Sequence, residues 1–286
     1  MIVVLGFDGL GIRWVEEYKL DAIKQEECTT TDLSDYRGEH PYTPVVWSSM
    51  ISGEIDREME EVFLEHARGN KYVRPLMDFA KKILPLGMRR RLGYLWNGLR
   101  GRDAGPPMAR TCNWLKKHGK ETIFERVEDS EVVRTIPGYN GVPRHEKRMK
   151  IVRQALSGDE SKIPSYDKDI IEEYKERKSI LLDLLDSESR PELVFFYTNY
   201  IDALGHLHFA DSSRRMKWHF DVNGLTNEVK KGLAEEDVLY VISDHGMVEE
   251  DGYGSHSHYG FFSSSNGDLI EKPTDLYHLL KERLEV

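Results

Sequence analysis

Cysteine is almost absent: Cys28 and Cys112 are the only two in 286 residues. They stand far apart, so neither a disulfide framework nor a thiolate-built zinc site is expected, and a reducing, cytoplasmic compartment is the default expectation. Long apolar runs are missing too; none approaches the roughly 20 residues of a membrane span. Met1 leads straight into Ile2-Val3-Val4-Leu5-Gly6-Phe7, so no signal peptide is expected either. Positive charge is in deficit, with 50 acidic against 40 basic residues, a net charge of -10 and a pI near 5.6. That balance argues against nucleic acid as the main partner through bulk electrostatics. Internal repeats and low-complexity tracts are absent.

What is present is a series of short, wholly apolar runs. The chain is 39% hydrophobic and 31% charged, somewhat polar for a globular protein, yet these runs recur from end to end and imply a folded core. The clearest is Val238-Leu239-Tyr240-Val241-Ile242, apolar at every position as a mid-sheet strand covered on both faces must be. It ends at Ser243-Asp244-His245-Gly246-Met247. In open α/β sheets ligands bind at the carboxyl ends of strands, and a carboxylate next to an imidazole there suits a zinc-like ion. Taken alone the pair is equally well an ordinary turn.

The same arrangement recurs along the chain. Residues 2–7 read as a buried strand that stops at Asp8-Gly9-Leu10-Gly11. Residues 13–26 look helical, and a polar segment, 27–40, leads to Thr43-Pro44-Val45-Val46-Trp47-Ser48-Ser49-Met50-Ile51-Ser52-Gly53. A helix is predicted there, with Thr43 as its N-cap, Pro44 in the first turn and Gly53 at its end. A hydroxyl at a helix start also lies beside free N–H groups and the positive dipole end, which favours a phosphate. Leu193 to Thr198 is a further strand, followed by Asp202-Ala203-Leu204-Gly205-His206. On a helical turn that spacing puts Asp202 and His206 on one face, within reach of the same ion. A glycine-rich acidic loop, 249–255, precedes His256-Ser257-His258 and the apolar run at 259–262. Either histidine is a candidate ligand.

A strand is predicted at Glu131–Ile136, a polar stretch without clear period at 143–168, and helices at 169–185, 212–233 and 274–285. Between them, residues 54–130 form a candidate helical insertion in an otherwise single domain of residues 1–286. Residues 55–68 are acidic with helical spacing. Residues 71–120 carry 13 Lys or Arg against only Asp78 and Asp103, densest from Lys81 to Trp96. A solvated helix face explains such a stretch, and so does an anion-gathering cap or a surface resting on acidic lipid.

The ordered set Phe7-Asp8-Gly9, Thr43 through Gly53, Asp202 through His206, Ser243 through Met247, and His256 four residues before Gly260 resembles the alkaline phosphatase superfamily. Within it the likeness is to the type I phosphodiesterase/nucleotide pyrophosphatase family. It spans nearly the whole chain but lapses over residues 54–130. The resemblance implies an alkaline-phosphatase-like α/β fold, a central mixed, mostly parallel sheet sandwiched by helices, with the basic insertion set into it. It implies two divalent ions, Zn first and Mn as the alternative, one held by Asp8, Asp244, His245 and Thr43, the other by Asp202, His206 and His256. Thr43 is then the metal-activated nucleophile, forming a phosphothreonine intermediate during hydrolysis of a phosphodiester or pyrophosphate bond in a small phosphate ester or nucleotide. A threonine at that position resembles the diesterase branch, while serine is usual in the monoesterases and phosphotransferases, the alternative enzymatic reading. The non-enzymatic alternative is a metal-stabilised module that binds anionic lipid, an anionic polymer or a partner through the basic insertion.

Overall fold

The computed structural model describes residues 1–38, 40–68, 111–141, 145–156, 159–250 and 253–286. Eight strands are found among them: β1 (Ile2–Phe7), β2 (Glu27–Asp32), β3 (Ser130–Val133), β4 (Leu193–Thr198), β5 (Val238–Ser243), β6 (Met247–Glu250), β7 (Tyr253–His256) and β8 (Tyr259–Ser264). The helices among them are α1 (Ile12–Glu17), α2 (Asp21–Lys24), α3 (Thr43–Ser52), α4 (Arg57–Arg68), α5 (Trp114–Lys117), α6 (Ile123–Arg126), α7 (His145–Leu156), α8 (Ile163–Leu185), α9 (Tyr200–His208), α10 (Ser212–Gly232) and α11 (Asp275–Leu284). No helix among the described residues is long and apolar enough to cross a membrane.

The main sheet runs β2-β8-β5-β1-β4-β3. Strand β1 is parallel to β4 and to β5, and β3 is parallel to β4, whereas β8 runs antiparallel to both β5 and β2. The sheet is therefore mixed and mostly parallel, with helices on both faces, as expected. Each all-apolar strand splits its side chains between two core layers. Val3, Leu5 and Phe7 of β1 join Val194, Phe196, Leu239 and Val241 against α1, α2, α8, α9 and α10. Ile2 and Val4 join Phe195, Tyr197, Tyr240 and Ile242 against α3, α4, α6 and α11. Burial on both faces is why these strands carry no polar alternation.

Several local expectations are revised. The helical reading of 13–26 resolves into α1 and α2, because Lys19 turns the chain at φ 52° and lets Leu20 and Ile23 bury. The polar segment 27–40 contains edge strand β2, whose Thr-rich sequence pairs antiparallel with β8. The aperiodic stretch 143–168 holds α7 and the start of α8, and α7 buries Arg148, Ile151, Val152 and Ala155. Strand β3 stops at Val133, since Arg134 adopts φ 71°. The glycine-rich loop after Met247 is the β6–β7 hairpin.

Both flanks of the candidate insertion pack into the core beside α3, through Met59 and Phe63 on one side and Leu115, Ile123 and Val127 on the other. The Trp114 indole donates to Asp56 at 2.9 Å, joining the two flanks. The basic stretch from Lys81 to Trp96 lies outside the described residues.

Helix α10 buries a histidine completely. His219 packs edge-on to Tyr18 and near Trp14; its Nδ1 faces the Arg215 carbonyl at 2.8 Å, and its Nε2 has no hydrogen-bond partner. Burial pushes its pKa down from 6.5 to about 4. The unfolded chain then takes up this proton first as pH falls, so stability drops between pH 6.5 and 4. The drop from this residue is expected to reach about 3 kcal/mol at about 1.4 kcal/mol per pH unit. Urea melts of wild type and His219→Gln across this range check it, the variant showing the shallower decline.

Candidate metal centre

Strands β1, β4 and β5 are adjacent and parallel, so their carboxyl ends lie side by side. Phe7 pairs with Thr198 and Gly6 with Ile242, which puts Asp8 just beyond the ends of both neighbours. The backbone then knits the three exits together. Asp8 N–H donates to Thr198 O at 3.0 Å, and Asp202 N–H, in the first turn of α9, donates to Asp8 O at 3.2 Å. The Ser243 hydroxyl accepts from Leu10 N–H at 3.0 Å and donates to His245 O at 2.7 Å.

Two glycines make this approach possible. Gly9 has φ 84°, and a Cβ there would come within 3.1 Å of the Asp202 Cα and Cβ. Gly246 forms an isolated parallel bridge with Gly9, and a Cβ on it would meet the Gly11 Cα at 2.8 Å. The β6–β7 hairpin then folds back with Met247 opposite His256, and the His256 ring stacks on His245 at 3.7 Å between centroids.

Six of the seven residues anticipated from sequence thus converge. Asp202 Oδ1 is their hub, 3.2 Å from His206 Nε2, 3.4 Å from His256 Nε2 and 4.0 Å from His245 Nε2. His245 Nε2 also lies 3.2 Å from Asp8 Oδ1 and 3.5 Å from Asp244 Oδ2. Yet Asp8 Oδ1, Asp202 Oδ1, both Asp244 oxygens and His245 Nε2 are buried without a hydrogen bond. Buried polar atoms are rarely left this way, and five in one place call for a further partner. The other ring nitrogens are engaged: Nδ1 of His206 faces Gly254 O and Nδ1 of His245 faces Gly246 O, each at 3.1 Å. A ligating imidazole is oriented in this manner, one N–H on a carbonyl and the opposite lone pair turned to the ion.

Two ligand groups result: Asp202, His206 and His256, and Asp8, Asp202 and His245. Asp202 reaches both, and Asp244 flanks the second. Apart from the shared Asp202, the second group is sealed: the side chains of Asp8 and His245, and of Asp244 beside them, are at most 2% exposed, whereas those of Asp202, His206 and His256 are 15%, 31% and 21% exposed. Electrostatics follow the same division. Burial works against charge on His245, but Asp244, Asp8 and Asp202 outweigh it and push its pKa up to about 10. Burial and the neighbouring Asp8 raise Asp244 well above the usual carboxylate range. Burial likewise opposes ionised Asp202, and His206 and His256 override it, holding the group well below its ordinary value. Burial and His245 depress His256 to about 4. A divalent cation answers this concentration of carboxylates and free lone pairs, and the oxygen and nitrogen donors suit zinc-like ions.

The remaining anticipated residue, Thr43, is the first residue of α3 rather than its N-cap. Tyr42 takes the cap position in an extended conformation, and its carbonyl accepts from Val45 N–H at 2.8 Å and Val46 N–H at 3.1 Å. Those are the donors a Thr43 cap would have satisfied. The Thr43 hydroxyl therefore has no capping duty, and among the described residues it makes no hydrogen bond. His40, three residues earlier, places its ring 6.3 Å from His256. The pair left open at 256 and 258 separates clearly: His258 is exposed and stacks on His40 at 5.3 Å, while His256 faces Asp202. Sequence reasoning passed over His40, and it passed over Tyr197, whose hydroxyl donates to Asp8 Oδ2 at 2.7 Å. A tyrosine directly after the wholly apolar run Leu193–Phe196 was the available signal.

Over residues 88–270 the sequence matches the type I phosphodiesterase / nucleotide pyrophosphatase family. The chain belongs to that family. The matched stretch holds Asp202, His206, Asp244, His245 and His256; Asp8 and Thr43 precede it. Among solved structures, murine ectonucleotide pyrophosphatase/phosphodiesterase 5 is similar at 13% identity and a TM-score of 0.36, covering 87% of this chain and 57% of its own. An inactive threonine-to-alanine variant of the same murine protein, in complex with AMP, gives 13% identity, a TM-score of 0.35 and the same coverage. A TAB5 alkaline phosphatase variant with bound Mg gives 11% identity and a TM-score of 0.44, covering 99% of this chain and 97% of its own. This phosphodiesterase-family chain thus spans little more than half the length of the murine protein. No curated protein sequence matches it.

The shared position of Asp202 has a measurable consequence. If each ligand group holds an ion, Zn2+ titrated under chelator competition is expected to show both sites weakened in Asp202→Ala, and one weakened and the other spared in His206→Ala. Metal content after dialysis, by elemental analysis, gives the stoichiometry; an Asp202→Ala protein that retains two ions would contradict the hub.

Proposed function

We propose that this chain is a two-metal phosphoesterase that hydrolyses phosphodiester or pyrophosphate bonds of small phosphate esters, nucleotides among them, with Thr43 as nucleophile. The observation that carries the reading is the convergence of five buried, unbonded ligand atoms from Asp8, Asp202, Asp244 and His245 at the carboxyl ends of three parallel strands. Family membership supports the reaction class.

Zn2+, or Mn2+ as the alternative, supplies charge neutralisation at the phosphoryl oxygens and favours ionisation of a bound hydroxyl. The chain's own residues do the rest. Asp8, Asp244 and His245 form the sealed half of the cradle, and Asp202, His206 and His256 the half that opens to solvent. The hydroxyl of Thr43, unspent on capping and set at the positive end of α3, attacks phosphorus; the bond to the leaving oxygen breaks, and a phosphothreonine forms. The proton lost by the hydroxyl is balanced by the one the leaving oxygen gains. Water then attacks the phosphothreonine, which restores the hydroxyl and releases the phosphate product.

The test is turnover of bis-p-nitrophenyl phosphate and p-nitrophenyl phosphate with Zn2+ and Mn2+, comparing wild type with Thr43→Ala. The variant is expected to keep both ions and lose about a thousandfold or more in kcat. Near-normal hydrolysis by Thr43→Ala would remove the nucleophile assignment. A wild type that prefers the monoester would make the protein a phosphomonoesterase, and one that binds metal without turning over either ester would make it a binding module.

A further inference from the structure

Asp8 presents its two oxygens to different neighbours. Oδ2 accepts from the Tyr197 hydroxyl at 2.7 Å, while Oδ1, buried and unbonded, lies 3.2 Å from His245 Nε2. A carboxylate at a strand exit turns easily about its last torsion and can offer one oxygen, the other, or both. A donor fixed on one oxygen ends that freedom. We propose that Tyr197 is the positioning residue of the sealed ligand group: its hydroxyl commits Asp8 to bind a divalent cation through Oδ1 alone. This rests on the metal-centre reading given above.

The surroundings show that the ring is held in place. The β1–β4 register sets Tyr197 opposite Gly6, two residues before Asp8. The Trp47 indole, from α3, meets the Tyr197 ring edge-on at 4.9 Å and 77°. It fits there because position 6 has no side chain; a Cβ on Gly6 would come within 2.7 Å of the indole. From the other end, the Arg177 guanidinium donates to Tyr197 O at 3.0 Å and sits 5.9 Å from the ring centre. Arg177 is in turn fixed by Glu173 Oε1 at 2.9 Å and by Thr135 Oγ1 at 2.7 Å. Packing alone would be served by phenylalanine, which occupies position 195 on the same face of β4. The hydroxyl is therefore the part that packing leaves unexplained, and a buried hydroxyl is tolerated only with a partner. Trp47 also follows Thr43 by four residues, on the same side of α3. One ring thus braces both the carboxylate and the helix that begins with the proposed nucleophile.

The experiment is a Zn2+ titration under chelator competition for wild type, Tyr197→Phe, Asp8→Asn and the double variant. Tyr197→Phe is expected to weaken one ion by about ten- to a hundredfold and to leave the other at its wild-type affinity. If Tyr197 acts through Asp8, then in the Asp8→Asn background Tyr197→Phe adds less than about twofold. Unchanged affinity for both ions would overturn the proposal. So would fully additive losses, or equal weakening of both ions together with loss of the near-ultraviolet circular dichroism of the metal-free protein, which mark a structural role. A wild type that takes up no Zn2+ would instead overturn the metal-centre reading itself.

Discussion

Three carboxylates gathered in a largely buried space set the conditions for the rest of this molecule. Asp8, Asp202 and Asp244 lie at the exits of three neighbouring strands, and like charges so placed repel one another while losing their hydration. The folded chain tolerates this only because compensation is built around them: the His245 and His206 imidazoles, whose charge burial opposes but the carboxylates favour, backbone N–H groups that fix the loops, and one phenol. An arrangement so costly to stability points to a use for the concentrated negative field. Neutralisation by divalent cations is the use that the donor atoms suit.

The scaffold serves that arrangement by dividing labour between the two sides of the sheet. On one side, α8, α9 and α10 close over the odd-numbered residues of β1, and α9 carries Asp202 and His206. On the other, α3, which begins at Thr43, is buried along nearly its whole length, and His40, three residues before it, lies beside His256. The hairpin of β6 and β7 adds His256 last, across the mouth. No single element holds the centre; each contributes one or two groups whose positions depend on the register of strands it does not belong to.

Strands β1, β4 and β5 were legible because burial on both faces leaves almost nothing but apolar residues, and the histidine–carboxylate pairs that follow β4 and β5 were legible because polar residues there break the pattern. The elements that escaped detection have physical reasons in common. Strand β2 is a polar edge strand, β6 carries acidic residues in a hairpin, and α7 places a charged residue, Arg148, among its buried positions. At Thr43 local rules favoured a cap, whereas the Tyr42 carbonyl took those donors. Which strands are neighbours was not written in any local pattern, and neither was the hydrogen bond from Tyr197 to Asp8, whose partners are 189 residues apart.

That separation has a consequence for how the protein comes into being. Strand β1 finds both its partners, β4 and β5, only after most of the chain has been made, so its apolar residues stay unpaired through much of synthesis. Folds dominated by such distant parallel pairings close slowly, because the entropy of the long loop is lost before the contacts that reward it can form. The candidate ligand residues therefore assemble in the same late event that completes the sheet, and a nascent chain holds no more than fragments of the cradle.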